Sequence, residues 1–126
     1  MNTATQPGVT PTEQVLERVL ALLEDFKALD IKVIDVSGTN PLTDRFVIAS
    51  GTSSRHVKSM ADKLVEAAKA EGQPPIGVEG AREGQWVLVD LNDVVVHLMQ
   101  PQARAFYNLE KLWEATEESR TGSQPV

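Results

Sequence analysis

The sequence predicts a single α/β domain built on a mixed five-stranded β-sheet with helices packed on it. Three observations carry this prediction. The chain has 126 residues, which fits one domain. Segments with helical spacing of apolar residues alternate with short β-branched runs, in the order helix, strand, strand, helix, three strands, helix. Hydrophobic residues make up 41% of the chain, an ordinary share for a globular core.

The first helix has a clear start signal. Thr10 is suited to cap it, Pro11 suits the first helical position, and Glu13 completes a capping box. Apolar residues then recur at helical spacing, and we expect the helix to end near Leu29. Residues 1–9 are polar and are predicted to be a flexible tail.

Two strands and a second helix follow. Segments 31–36 and 46–50 are apolar enough for strands, and the second is apolar nearly throughout, which indicates cover on both faces. The turn 51–54 leads into a helix with an apolar stripe, and Gly72 is a good stop signal for it.

Three short strands and a last helix complete the predicted domain. We expect strands at 76–79, 85–91 and 94–99, with a tight hairpin turn at Asn92 and Asp93 between the last two. Pro101 is suited to open the last helix. The predicted domain runs from 10 to 116, and the polar residues 117–126 are predicted to be a second flexible tail.

The hairpin contains the strongest clue to function, because side chains alternate between the two faces of a strand. One face is purely aliphatic and belongs in the core: Val87, Val89, Leu91, Val94, Val96 and Leu98. The opposite face mixes aromatic, charged and apolar side chains: Trp86, Leu88, Asp90, Val95, His97 and Met99. Such a mixture is typical of a protein-binding surface. The alternative is that this face packs under a helix, with Asp90 and His97 satisfied locally.

Charge and composition exclude several classes. The formal net charge of −6 disfavours nucleic acid as the main partner and favours a basic protein surface, although it can serve solubility alone. No apolar run is long enough to cross a membrane, and the N-terminus lacks the pattern of a signal peptide. The chain has no cysteine, which excludes disulfides and thiolate chemistry. These features fit a cytoplasmic protein.

Enzyme hypotheses find little support. The segment 51–55 has the composition of a phosphate-binding loop at a helix start, but it lacks the P-loop lysine, and a plain helix cap explains it as well. Asp90 and Asp93 are wrongly spaced for a shared metal on one strand, and the two histidines have no nearby set of ligands. We therefore expect no catalytic residues, no metal site and no cofactor.

Several spaced motifs together resemble the Iojap family of ribosomal silencing factors. They are the segments 51–57, 77–80, 86–97 and 107–113, with Asp35 after the first strand and Thr43-Asp44 before the second. The resemblance covers residues 14–113 and therefore almost the whole predicted domain.

This resemblance implies a fold and a function. The fold would be similar to nucleotidyltransferase domains without their catalytic carboxylate pair. Members repress translation during starvation by binding the large ribosomal subunit through ribosomal protein uL14, which blocks association with the small subunit. They are often homodimers when free. A role in large-subunit assembly is an alternative, and a nucleotide-binding enzyme is a more distant one.

The resemblance and the hairpin pattern together suggest specific contact residues. We expect the partner-binding face to comprise Trp86, Asp90, Val95, His97 and Met99. Trp86 would be its apolar anchor, and Asp90 would pair with a lysine or arginine of the partner. Tyr107 and Trp113 are assigned either to the edge of this face or to the core of the last helix, and both alternatives stay open.

Overall fold

The computed structural model describes residues 10–107, and the side chains of 106 and 107 are not described. Its elements are α1 (Pro11–Asp25), β1 (Leu29–Asp35), β2 (Arg45–Ser50), α2 (Ser54–Ala70), β3 (Gly77–Glu79), β4 (Trp86–Asp90), β5 (Val94–Met99) and α3 (Pro101–Tyr107). The strand order in the sheet is β1-β2-β5-β4-β3. The β2–β5 pair is parallel and the other pairs are antiparallel, so the predicted mixed five-stranded sheet is confirmed.

Helix α1 begins as its sequence predicts and ends earlier. The Thr10 side chain accepts from the Glu13 backbone N–H, and the Glu13 carboxylate accepts from the Thr10 N–H, which forms the expected capping box. The helix then ends at Asp25, four residues before the predicted Leu29. Lys27 takes a left-handed conformation with φ of 61°, and Ala28 donates back to the Leu23 carbonyl. This end could not be predicted from the residue type, because a lysine here occupies a position where glycine is common.

One face of the sheet lies under α1 and α2 and forms the main core. Five of the six aliphatic hairpin residues assigned to the core are buried in this cluster, together with Val47 and Ala49 of β2, and the sixth, Leu91, is partly buried against it. Helix α1 contributes Val19 and Leu23, and α2 contributes the apolar stripe predicted for it: Val57, Met60, Ala61 and Leu64. The predicted division of the hairpin into two faces is therefore confirmed on the helix-covered side.

The other face of the sheet carries a second, smaller apolar cluster. Its buried members are Ile34, Val36, Phe46, Ile48, Val95, Met99 and, from α3, Ala103. Trp86 and Leu88 are partly buried against it. The two faces therefore differ in composition, because the first is aliphatic and the second holds aromatic and titratable side chains beside its apolar core.

The hairpin turn joins β4 and β5. Leu91 donates its N–H to the Val94 carbonyl, so Asn92 and Asp93 form the two-residue turn that was predicted. Asn92 has a φ of 78°, a conformation that asparagine tolerates well.

Three of the sequence predictions fall outside the described residues. They are the two tails at 1–9 and 117–126 and the domain end at 116. Across 10–107, no helix is both long and apolar enough to span a bilayer.

Candidate protein-binding face

The accessible part of the candidate face is a strip along β4 and β3. Trp86, Leu88 and Asp90 point to the same side of β4, and each is partly exposed. Glu79 of β3 pairs with Leu88 in the register, so its side chain is on the same side and is exposed. We call these four residues the β4 strip. It combines an indole and a leucine with two carboxylates, which is a surface suited to a basic protein with an apolar pocket.

The members of the predicted face on β5 lie deeper. Val95 is 8% exposed, His97 is 4% exposed and Met99 is fully buried. The sequence left open whether this face packs within the protein, and for the β5 half it does. A partner that docks on this conformation reaches Trp86 and Asp90 directly, whereas the three β5 residues support the strip from below.

His97 sits between two aromatic rings from neighbouring strands. Its ring centroid is 5.4 Å from that of Phe46 on β2 and 6.0 Å from that of Trp86 on β4. The indole Nε1–H of Trp86 donates to His97 Nδ1 at 3.2 Å. Desolvation by burial lowers the pKa of His97 from 6.5 to about 4, so the imidazole is neutral at physiological pH. The histidine is thus a polar group built into the apolar cluster.

Asp90 is placed by the hairpin turn. Its Oδ1 accepts the N–H of Asn92 at 2.9 Å, an Asx-type contact that closes the end of β4. The alternative interpretation of the sequence predicted that Asp90 would have such a local hydrogen-bond partner, and this prediction is confirmed. The side chain nevertheless remains partly exposed at the end of the β4 strip, where it can also meet a cation of a partner.

Gly80 fixes the backbone behind Trp86. Its φ is 81°, a conformation that side-chain-bearing residues rarely adopt. A Cβ atom at this position would overlap the carbonyl oxygen of Trp86. The glycine therefore lets the chain pass directly against β4 where the strip begins, which gives a physical reason for the second glycine of the 77–80 motif.

The structure does not test whether Tyr107 and Trp113 lie at the edge of the predicted face or in the core of the last helix. Tyr107 is the last residue of α3, and its side chain is not described. Trp113 lies outside the described residues.

The residues considered for enzyme chemistry have structural roles. In the 51–55 loop, the Thr52 N–H donates to His56 Nδ1 at 2.9 Å, and the Gly51 N–H donates to the Met99 carbonyl. His56 Nε2 lies 2.7 Å from the carbonyl oxygen of Phe26, so this histidine ties the start of α2 to the end of α1. Ser53 is the N-cap of α2, and its hydroxyl accepts from the His56 N–H. These contacts account for the loop as a helix cap.

The isolated carboxylates also have local partners. Asp35 forms an ion pair with Arg45 at 3.3 Å and accepts from Ser37. Asp44 accepts from the Thr12 hydroxyl at 2.9 Å, which joins α1 to the loop before β2. Within 10–107 no group of three or more histidine, aspartate or glutamate side chains is arranged to hold a metal ion.

Two residues of the strip were missing from the predicted set of contact residues. Leu88 was assigned to the correct face but was not singled out as a contact. Glu79 was not considered, because its face depends on the register between β3 and β4. The alternation of β4 was readable from the sequence, whereas the pairing of a three-residue edge strand was not.

Comparisons with known proteins test the family resemblance that the sequence motifs indicated. The family model described as "Ribosomal silencing factor during starvation" matches residues 9–125. The chain belongs to this family. A ribosomal silencing factor from Zymomonas mobilis is 42% identical over 114 residues, which cover 90% of this chain and 84% of the relative. The resemblance inferred from the sequence motifs is confirmed.

Two further relatives extend the comparison. A crystal structure of a protein from Chromobacterium violaceum superposes with a TM-score of 0.79 at 36% identity, covering 93% of this chain and 92% of that one. A mouse protein named "Mitochondrial assembly of ribosomal large subunit protein 1" is 39% identical over 116 residues, which cover 86% of this chain and 50% of the mouse protein. The fold of this chain is thus found in a solved structure, and the chain is also similar to a protein named for subunit assembly.

Proposed function

We propose that this ribosomal silencing factor represses translation by binding the large ribosomal subunit through ribosomal protein uL14 and blocking its association with the small subunit. Family membership supports a role at the ribosome. The observation that carries the choice of a protein partner is the β4 strip, where two partly buried apolar side chains are flanked by exposed or partly exposed carboxylates.

The chemistry of the strip suits a basic ribosomal protein. Trp86 is large, rigid and partly desolvated already, so it loses little conformational freedom on binding. Glu79 lies beside Leu88 on β3 and Asp90 lies two residues along β4, so both supply negative charge near Leu88. The whole chain carries a net charge of −6. This charge attracts lysine and arginine side chains and repels the surrounding RNA phosphates. The strip therefore favours a protein component of the subunit over its RNA.

The proposed mechanism is steric competition. A footprint of roughly 1,600 Å² is typical of a specific protein complex and is small beside a ribosomal subunit. Such a footprint is nevertheless sufficient to block joining if it overlaps one contact between the subunits, because this protein and the small subunit cannot occupy the same surface of the large subunit. The protein would then need no catalysis and no cofactor to lower translation.

The proposal is tested by sedimentation of purified ribosomal subunits at a magnesium concentration where they join. We expect the native protein to travel with the large subunit and to reduce the joined particle. Trp86→Ala should weaken binding about thirtyfold or more, because a central aromatic anchor commonly contributes at least 2 kcal/mol. Asp90→Arg should weaken it about tenfold or more by placing like charges together.

Matched controls distinguish a loss of binding that is specific to the β4 strip from one that any charge reversal or side-chain truncation would cause. Asp62→Arg makes the same charge change on an exposed position of α2, on the opposite side of the sheet. Leu29→Ala truncates a 42% exposed apolar side chain on the far edge strand β1. Both controls should bind like the native protein. If Trp86→Ala and Asp90→Arg also bind normally, the strip is not the contact surface.

The name of the mouse relative favours a second candidate function, assembly of the large subunit. An assembly factor would bind precursors of the subunit and leave before maturation. Sedimentation with mature subunits and with precursor particles from cells distinguishes the two. Strong binding to precursors with no effect on joining of mature subunits would favour assembly, whereas loss of joined particles favours silencing.

A further inference from the structure

We infer that His97 is a positioning residue that holds the indole of Trp86 in the orientation needed for binding, through the hydrogen bond from Trp86 Nε1–H to His97 Nδ1. This inference rests on the proposed function, because it assigns to a buried histidine the task of presenting the anchor of the β4 strip. It changes the role expected for His97 from a direct contact to a support beneath the contact surface.

The hydrogen bond fixes the tautomer of the histidine. An indole N–H is only a donor, so His97 Nδ1 must carry the lone pair that accepts it. A neutral imidazole then carries its proton on Nε2. This nitrogen is buried and has no hydrogen-bond partner within the part of the chain that the structure describes. The tautomer that serves Trp86 therefore leaves a buried donor unsatisfied.

An unsatisfied buried donor is costly, so its presence needs a reason. The neighbours of His97 on the same side of β5 are Val95 and Met99, and both are buried and apolar. Neither side chain needs a hydrogen bond from the histidine. An aliphatic residue at position 97 would fill the same apolar surroundings without an orphaned N–H. What it would lack is an acceptor for Trp86. The geometry thus indicates that the role of His97 is to accept the hydrogen bond of the Trp86 indole and not to fill the apolar cluster.

The surrounding rings hold the imidazole in place. Phe46 packs on it from β2 with the ring planes tilted by 47°, and Trp86 meets it from β4 with a tilt of 45°. His97 lies directly opposite Leu88 in the register, so Trp86 is its diagonal neighbour. An imidazole restrained in this way offers its Nδ1 lone pair in one direction. The indole that donates to it is then restrained in turn, although it is only partly buried.

A first experiment measures the hydrogen bond in the free full-length protein. Long-range ¹H–¹⁵N correlation spectra distinguish the two neutral tautomers of a histidine, and we expect His97 as the Nε2–H form. The chain has two tryptophans, and Trp86→Phe identifies the indole N–H signal of Trp86 by its loss. His97→Leu should shift that signal. Observation of the Nδ1–H tautomer, or an unchanged indole signal in His97→Leu, would overturn the inference.

A second experiment is a double-mutant cycle on binding to the large subunit. His97→Leu should weaken binding about threefold to tenfold, the range expected for one hydrogen bond. In a Trp86→Ala background the same change should have almost no effect, because the indole it orients is gone. His97→Gln offers a carbonyl acceptor and should retain binding within about twofold. Circular dichroism of each variant checks that it is folded, and His97→Gln provides the comparison if His97→Leu is not.

The outcomes separate this inference from the proposed function. If His97→Leu weakens binding equally in both backgrounds, the histidine acts independently of Trp86 and the inference fails while the contact surface stands. If Trp86→Ala itself leaves binding unchanged, both fail. Coupling between the two positions, together with the Nε2–H tautomer, supports the positioning role, since a merely structural residue would affect stability without depending on the indole.

Discussion

The two faces of the β-sheet are built from alternate residues of the same strands, yet they differ in what they contain. Toward α1 and α2, the hairpin places only aliphatic side chains, and five of these six are fully buried: Val87, Val89, Val94, Val96 and Leu98. Toward the other side, it places Trp86, Leu88 and Asp90 at partial exposure above the buried His97. The first face is optimised for burial, and the second retains polar groups and an aromatic anchor beside its own small core.

If the β4 strip is the contact surface proposed above, this difference separates stability from recognition within one hairpin. A group that serves only packing gains nothing from a polar atom, because an unpaired polar atom in the interior costs free energy. The aliphatic face follows this rule throughout. On the other face, His97 Nε2 departs from it, because this buried nitrogen has no hydrogen-bond partner among residues 10–107. Such local departures are expected where a site has a task besides folding.

The largest expected difference between the faces is in stability. Leu98→Ala should lower the free energy of unfolding by about 2–5 kcal/mol, because it opens a cavity in a fully buried aliphatic position. Leu88→Ala, on the β4 strip, should lower it by about 1 kcal/mol, since the leucine is only partly buried. Urea denaturation followed by circular dichroism measures both. Equal losses would contradict the division between the faces.

The second face should make the stability of the protein depend on pH through His97. The pKa of His97 falls from 6.5 to about 4 on folding, so above pH 6.5 the group is neutral in both states and has no effect. As the pH falls from 6.5 toward 4, the unfolded chain gains a proton that the folded chain does not, and stability decreases. The full loss below pH 4 should approach about 3 kcal/mol.

Carboxylates also titrate in this range, so the measurement compares the native protein with His97→Gln. The difference in unfolding free energy between the two should change between pH 7 and pH 4, in the direction that favours the variant at low pH. A constant difference would mean that the imidazole is protonated as easily in the folded protein as in the unfolded chain.

A smaller effect should follow from the glycine behind Trp86. Gly80→Ala should lower the free energy of unfolding by about 2 kcal/mol and shift the indole signal of Trp86, because the new Cβ overlaps the Trp86 carbonyl. Gly72→Ala is a matched control with a similar φ of 78° and no atom within 4 Å of its Cβ position. It should cost about 1 kcal/mol and leave the indole signal unchanged. Equal costs would show that the backbone conformation, and not the overlap, sets the requirement for glycine.

The sequence contained most of the fold because local signals agreed with one another. The Thr10 capping box, the hairpin turn at Asn92 and Asp93, and the alternation along both hairpin strands each predicted the structure found. The end of α1 was missed by four residues, since Lys27 adopts a left-handed conformation that its residue type does not announce. Local patterns identify elements well when each residue takes its usual conformation.

The candidate site was predictable only in part. Periodicity placed Trp86, Asp90 and His97 on one face, and they do share it. It could not tell that β5 lies at the centre of the sheet, between β2 and β4, and that His97 and Met99 are therefore buried. Nor could it place Glu79 beside Leu88, because that depends on tertiary pairing. Strand order, a property of the whole chain, decides which members of a face a partner can reach.

The alternation along β4 has a consequence for how this protein can change during evolution. Residues of the core and of the strip follow one another without interruption from Trp86 to Asp90. An insertion or deletion of a single residue within the strand would turn Val87 and Val89 outward and carry the strip inward, so it would disrupt the core and the proposed contact surface together. Point substitutions on one face leave the other in place. Under the proposed function, the contacts of the β4 strip can therefore change by substitution, while the length of β4 is constrained by both faces at once.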